Sequence, residues 1–506
     1  MSASLNQIPI GTPGLEAGAR GKRLRHFMPP KLHLNTLIEA SGRDVLARAR
    51  FLVRNNAYAA NGRDFFTAQA VGTGITPSWK NLTGRTNRKK ALNTAWLRWT
   101  DEADAEGLTD FYGLQARVAD ELFQANECFV RLRARRPEDG LSVPLQLQVL
   151  PSEMLPQSDS RVLPNGNEVR QGIEFDQIGR RVAYHFYVLH PDDAGATRRG
   201  VRSDLQTRVP ADQVLHVIDP MEAGQIRGLS RMAPAIVPLW LLDLYDDAEL
   251  DRKRTAALFA IFRKMNGAFD PSTEGAEDEG NGTASQDLTP GTQLYGEPGE
   301  EIQVIAPADV GGSYEAFQYR NLLRAASGLR IPYVGLTGDM VKANYGNIRA
   351  ALIDFRRRME SLQHRVLVFQ LCRPVMNAWL RAAILAGAVQ GLTPANAVRL
   401  MPQLSRVTWI PPRWEWVDPS KDVRAAKEEV QAGFRSRSSV VEARGDDPEE
   451  VDREIAEERR RERELGLEGL GSSFNDKAPV QAAPPVPDPP DDQEDAPEPA
   501  QQDDTP

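Results

Sequence analysis

The sequence predicts an α+β fold, predominantly helical, from three observations. Apolar residues recur at helical spacing through several long segments. One block, Leu145 to Ile218, instead alternates by twos and lies between helical stretches. From Leu322 to Arg358 a Gly/Pro-punctuated loop is held between two strong helical patterns.

The first 30 or so residues are rich in Gly, Pro and small side chains, carry Arg20, Lys22, Arg23 and Arg25, and read as a flexible arm, with order starting near Leu37. Helical spacing covers Val45 to Ala70 until VGTGITP breaks it. That GTG is no dinucleotide fingerprint, because Pro77 replaces the third glycine. A second helix is expected over Asp110 to Val130, with Phe111, Leu114, Val118, Leu122 and Phe123 on one face.

The β-rich block follows. Leu145 to Leu150 alternates, Gly172 to Leu189 reads as two strands around a turn at Asp176 to Gly179, and Gln213 to Ile218 adds a short strand. Helix returns from Ser230 to Lys264, about 35 residues and roughly 50 Å, interrupted only by Pro234 and Pro238 near its start. On it Asp243, Asp247 and Asp251 recur every fourth residue. They read either as a solvated face or as a repulsive lining that keeps an anionic polymer from sticking.

Asp270 to Gln293 is polar and acidic and reads as a disordered loop, followed by an expected hairpin from Gln293 to Ile305 turning at Glu297 to Glu300. In the next loop Lys342 stands beside Asn344, Tyr345 and Gly346. It is either an ordinary connector or a fixed platform for contact with something passing by. After it Ile348, Leu352, Phe355, Met359, Leu362, Val366 and Phe369 form a heptad seam. Helical segments are expected from Asp418 to Gly433 and again through a charge-dense run ending near Leu467. Beyond Gly471 the chain is proline-rich and acidic, a pattern of disorder.

The net charge of −8 is concentrated at this end: eight acids against one lysine over residues 477–506 leave the body near −1. No overall basic charge advertises nucleic-acid binding. No run of about 18 apolar residues predicts a membrane span or signal segment, so a cytoplasmic protein or one built into a soluble assembly is expected. Cys128 and Cys372 lack CxxC partners and are expected to be buried, reduced thiols in helices.

Enzyme motifs are missing. Gly21-Lys22 is followed by Arg23 and has Glu16 where a phosphate loop needs glycine; HExxH and GxSxG are absent, and the six histidines do not cluster. Asp243, Asp247 and Asp251 could serve as Mg²⁺ ligands, but a mid-helix charge run is a poor metal scaffold. His216 within VLHVI reads as a satisfied core or interface histidine. No catalytic residue, metal or cofactor is expected.

Five segments, taken in order, resemble the lambda family of phage portal proteins: LARARFLVRNNAYAANGRDFFTAQAVGTGI (46–75), GIEFDQIGRRVAYHF (172–186), PADQVLHVIDPMEAGQIRGLSRMAPAI (210–236), LRAASGLRIPYVGLTGDMVKANYGNIRAALIDFRRR (323–358) and WEWVDPSKDVRAAKEEVQAGFRSRSSVVEARGDDPEEV (414–451). The family commonly has Tyr-Ser-Ser where this chain reads Tyr345-Gly346-Asn347. The resemblance implies a portal fold with a wing, a two-helix stem, a β-rich clip inserted between the stem helices, a tunnel loop and a helical crown.

On this chain it implies an N-terminal arm (1–36), wing (37–108), first stem helix (109–130), clip (131–228), second stem helix (229–266) and second wing part (267–330, with a disordered loop at 270–292). The tunnel loop (331–347), crown and C-terminal helices (348–470) and acidic tail (471–506) complete it. The implied function is a ring, typically of twelve copies, at one capsid vertex of the virion, assembled in the host cytoplasm and passing double-stranded DNA. Its implied partners are the terminase large subunit, which supplies the energy, the major capsid protein and head–tail adaptor proteins. Lys342, Asn344, Tyr345 and Asn347 would meet DNA in the tunnel loop, and Asp243, Asp247 and Asp251 would line the stem. The competing readings are a Mg²⁺-dependent nuclease and another capsid-associated adaptor or scaffold.

Overall fold

The computed structural model describes residues 26–79, 82, 86–193, 204–257, 261–265, 300–304, 313–341, 345–412, 414, 419–444 and 446–467. The chain divides into two compact units, 1–447 and 448–506. In the first, α1 (Leu34–Asn55) and α2 (Ala57–Ala70) replace the single helix expected from Val45 to Ala70, and order begins before Leu37. The joint is Asn56, whose extended backbone ends α1 while its side-chain oxygen accepts from Ala59 N at 2.9 Å to cap α2. VGTG then reverses the chain. Gly74 sits at φ +119°, and a Cβ there would lie 2.4 Å from Tyr112, so only glycine fits. Gln115 holds the same turn through both backbone groups of Ile75.

Next come β1 (Thr76–Ser78), the unanticipated α3 (Thr86–Glu102) and α4 (Phe111–Gln124). All five residues of the predicted α4 face are buried. Each such side chain contributes roughly 1.5–3 kcal/mol. The helix stops at Gln124, short of the expected first stem boundary at 130, because Asn126 takes a left-handed φ of 59° and a strand starts at Glu127. Cys128 therefore lies in a strand; it and Cys372 are buried and free.

The β-rich block contains β2 (Glu127–Ala134), β3 (Leu145–Leu150), β4 (Arg161–Val162), β5 (Glu168–Arg170), β6 (Ile173–Phe175), β7 (Arg181–Tyr187), β8 (Gln206–Pro210) and β9 (Val214–Ile218). One antiparallel sheet has the order β3-β2-β9, and the other β4-β5-β6-β7-β8. β3, the β6–β7 hairpin and β9 fall where the alternation places them. Phe129 of the first sheet packs edge-on against Tyr184 and Phe186 of the second, at 5.7 and 5.2 Å between ring centres.

α5 (Ala233–Ala257) runs through Pro238 and is roughly 37 Å long at 1.5 Å per residue, not 50 Å. The expected second stem helix to Lys264 is cut short because Ile261–Met265 forms β10. Its antiparallel partner is β11 (Glu300–Val304), across a long connection; residues 293–299 and 305 of the hairpin expected from Gln293 to Ile305 lie outside the described residues. The stretch 270–292 lies outside the described residues.

α6 (Ser313–Leu329), α7 (Tyr333–Thr337) and α8 (Tyr345–Leu362) follow, so the expected tunnel loop, 331–347, contains a short helix and the first turn of α8. α8 continues into a π-helical stretch, Gln363–Cys372, and then α9 (Arg373–Leu385). The wider π turn shifts the helical phase. Phe355, Met359, Leu362 and Val366 of the heptad seam are buried, but Phe369 is 60% exposed, while Leu367, Val368 and Leu371 turn inward. α10 (Pro394–Leu404), β12 (Thr408–Ile410), α11 (Pro419–Gln431) and α12 (Arg437–Ala443) complete this unit, with β12 pairing back to β1.

In the second unit α13 (Pro448–Glu464) carries Glu449 and Glu450 in its first turn and Arg461 and Arg463 in its last. That order of charge complements the helix dipole. Among the described residues, no helix is long and apolar enough to cross a membrane.

Candidate functional site

The loop predicted to contact a passing polymer is approached by an ordered turn. Asp339 accepts from Val341 N at 2.9 Å and Thr337 Oγ1 accepts from Asp339 N at 3.2 Å, so the backbone after α7 is held by its own side chains. Met340 is 62% and Val341 92% exposed, which carries the chain outward. Lys342 and Asn344 lie outside the described residues. Tyr345 opens α8, and Asn347 is exposed on its first turn. At the foot of the loop is an open cleft of about 830 Å³, floored by Phe65 of α2, Tyr333 of α7 and Leu352 of α8. Trp414 closes one side, with the Arg356 guanidinium 5.4 Å over its ring.

The three acids of α5 do not act as one set. Asp243 accepts from the Asn56 amide at 2.7 Å, so it braces the α1–α2 joint. Asp247 is exposed, and Asp251 is exposed beside Arg254 at 3.4 Å. The acid between them, Asp246, accepts from Tyr314 and Gln318 of α6. The reason is helical drift: 3.6 residues per turn rotates every fourth residue by about 40° per step, moving Asp251 about 80° from Asp243. Among the described residues no three potential metal ligands converge.

Sequence reasoning missed an apolar stripe on the same helix. Val237, Trp240, Leu241 and Leu244 recur at helical spacing and are 45–60% exposed, while Ile236, Leu239 and Leu242 face the core. Phe51 of α1 widens the stripe, its ring meeting Trp240 edge-on at 6.2 Å. Its signal was present as an all-round apolar pattern from Ile236 to Leu244, which marks a helix covered on two sides.

The block between α4 and α5 is fastened at its base by charge. Arg227 and Glu127 form a fully buried ion pair at 2.8 Å, with Glu127 also accepting from Gly228 N at 2.6 Å. A Cβ on Gly228 would collide with Ala125 O and Glu127, so the close approach requires glycine. Although burial opposes the charged form, Arg227 and His216 hold the Glu127 carboxyl well below the usual range. The His216 side chain is 2% exposed, 3.2 Å from Glu127. Burial outweighs the attraction of Glu127 and pushes its pKa down to about 4, so it is neutral at pH 7.

A pH dependence follows. The unfolded chain takes up the histidine proton near pH 6.5, the folded chain only near pH 4. Stability from this group is full above pH 6.5 and falls as pH drops toward 4, by about 3 kcal/mol in all. Glu127 adds a further loss below its unfolded value. His216→Gln is expected to flatten the denaturant midpoint between pH 6.5 and 4; an unchanged slope would assign it to other groups.

The family model described as phage portal protein, lambda family, matches residues 20–363. The probable portal protein of Halomonas phage phiHAP-1 is 25% identical over 430 residues, covering 83% of this chain and 80% of that one. Portal protein B of Escherichia phage lambda is 23% identical over 497 residues, covering 88% and 89%. Among solved structures, a chain from the virion of a native gene transfer agent particle aligns with a TM-score of 0.44 at 16% identity, covering 82% of this chain and 99% of that one. With the family model spanning more than half of its length, this chain belongs to the lambda family of phage portal proteins.

Proposed function

We propose that copies of this chain close into a ring, twelve in expectation, at one capsid vertex of the virion, and that the ring is the channel for packaging and ejecting double-stranded DNA. Family membership over residues 20–363 is the observation that carries this reading. The apolar stripe Val237, Trp240, Leu241 and Leu244 supports it, because such a face on a lone chain calls for a covering neighbour. In this reading 109–130 and 229–266 are the stem, 131–228 the clip, 37–108 and 267–330 the wing, 331–347 the tunnel loop and 348–470 the crown. The terminase large subunit, the major capsid protein and head–tail adaptors dock on the ring, which forms in the host cytoplasm.

Within the ring Lys342, Asn344, Tyr345 and Asn347 present weak, sequence-blind contacts to the DNA backbone. A near-neutral body suits that task, since each extra phosphate contact would hold DNA more tightly. Asp247 and Asp251 repel DNA if the outer face of α5 lines the channel; Asp243 is committed to Asn56.

Electron microscopy and mass measurement of the purified full chain test the reading. Closed rings of about twelve copies are expected; a monomer that cleaves DNA with Mg²⁺ would overturn it in favour of a nuclease. Leu241→Arg with Leu244→Arg is expected to leave helix content unchanged and yield dissociated chains. Lys342→Glu is expected to assemble normally while lowering DNA retention and its salt dependence, measured on packaged particles; failure to assemble would make the lysine structural.

A further inference from the structure

Where β9 ends, α5 begins, α6 stops and the π-helical stretch passes, four elements enclose a cavity of about 250 Å³. Its charged lining is Asp219, Arg231, Arg330 and Arg365. Asp219 is already spent: Arg231 Nη2 donates to Oδ2 at 2.5 Å and Arg365 Nη1 to Oδ1. Three guanidinium groups thus face one carboxylate, an excess of two positive charges in a concave site.

The three arginines are held differently. Arg231 is the fixed floor, its side chain 12% exposed, its guanidinium 5.0 Å over the Phe66 ring and its Nε directed at Asn126. Burial lowers its pKa, and the like charges of Arg330 and Arg365 lower it further, although Asp219 opposes them. Arg365 forms the half-exposed wall. Arg330 is exposed at the rim, and among the described residues its side chain makes no hydrogen bond or ion pair. Like charges gathered around a cavity without neutralisation cost free energy that a bound anion would recover.

We propose that this cavity is an oxyanion site that takes one phosphate group per chain, gripped by Arg330 and Arg365 over the Arg231 floor. Phosphate chemistry is favoured over a carboxylate because the planar carboxylate position is already filled by Asp219. A tetrahedral group has oxygens to spare for forks arriving from several directions. The occupied site would tie α5, α6, β9 and the π-helical stretch together, and the inference stands for the single chain whether or not the ring reading holds.

Equilibrium dialysis of radiolabelled inorganic phosphate against the purified full chain, at constant ionic strength, tests this. Saturable binding of one phosphate per chain is expected. Arg330→Gln and Arg365→Gln should each weaken it at least about tenfold, the loss that follows removal of one charge-assisted hydrogen bond. Arg324→Gln, an equal charge change higher on α6 and outside the cavity, should leave it unchanged. Absent binding, or equal binding by all four proteins, would overturn the proposal. Because Arg365 also pairs with Asp219, the exposed Arg330 variant decides the matter if Arg365→Gln does not fold. Competition with a short DNA duplex separates the sources: displacement assigns the site to a backbone phosphodiester, and continued occupancy assigns it to free phosphate.

Discussion

Arg227→Met is expected to destabilise the chain by about 3–5 kcal/mol, because it leaves Glu127 as a buried carboxylate without its counterion. Arg227 reaches Glu127 with Nε at 3.0 Å and Nη2 at 2.8 Å, and Nη1 and Nη2 also donate to the carbonyls of Gln171 and Ser152, respectively. One side chain therefore ties the start of β2, the turn before β6, the segment after β3 and the approach to α5. Its loss should loosen the whole base of the β-rich block.

The variant's pH dependence gives a second readout. In the native chain the Glu127 pKa is depressed, so its contribution is present above the ordinary carboxylate range and lost as pH falls through the folded value. Without Arg227, burial raises the Glu127 pKa instead, so the variant should be least stable relative to the native chain at neutral pH and recover part of the deficit near pH 4. Adding Glu127→Gln should restore part of the stability at pH 7. Denaturant midpoints of the three proteins at pH 7 and pH 4 check this; equal losses at both would mean that packing, not charge, is what Arg227 supplies.

This pair also shows where sequence reading ends. The α4 face, β3, the β6–β7 hairpin and β9 were legible because each is written in a local period. Glu127 and Arg227 stand 100 residues apart and look unremarkable separately. Asp243 read as a member of an acidic row because its partner, Asn56, lies 187 residues away. The end of α5 and the β10–β11 pairing were hidden for the same reason: Ile261–Met265 has helix-compatible residues, and a distant strand decides its state. The heptad seam was read correctly to Val366 and then failed, since nothing in residue spacing announces a π turn. Of the four residues expected in the loop, Tyr345 and Asn347 fall on the first turn of α8, while Lys342 and Asn344 lie outside the described residues.

Trp96→Ala should have a comparable effect, about 3–5 kcal/mol, by emptying the place where the β1 and β12 segments meet. Trp96, 1% exposed, is ringed by Trp79, Trp99, Phe111, Trp379 and Trp409, with centres 5.0–6.5 Å away. These come from the β1 segment, α3, α4, α9 and β12, and each well-placed aromatic pair adds about 0.5–1.5 kcal/mol beyond its buried area. The β1–β12 pairing has only three residue pairs, so it depends on this cluster to hold its strands together. Trp379→Phe should cost much less, because it keeps a ring in place and removes an indole N–H that is buried without a partner. Trp240→Ala offers the opposite test: half-exposed on α5, it should barely change the denaturant midpoint of a dissociated chain yet weaken association of copies. A large midpoint loss for Trp240→Ala with a small one for Trp96→Ala would show that the chain is held together at α5 and not where β1 and β12 join.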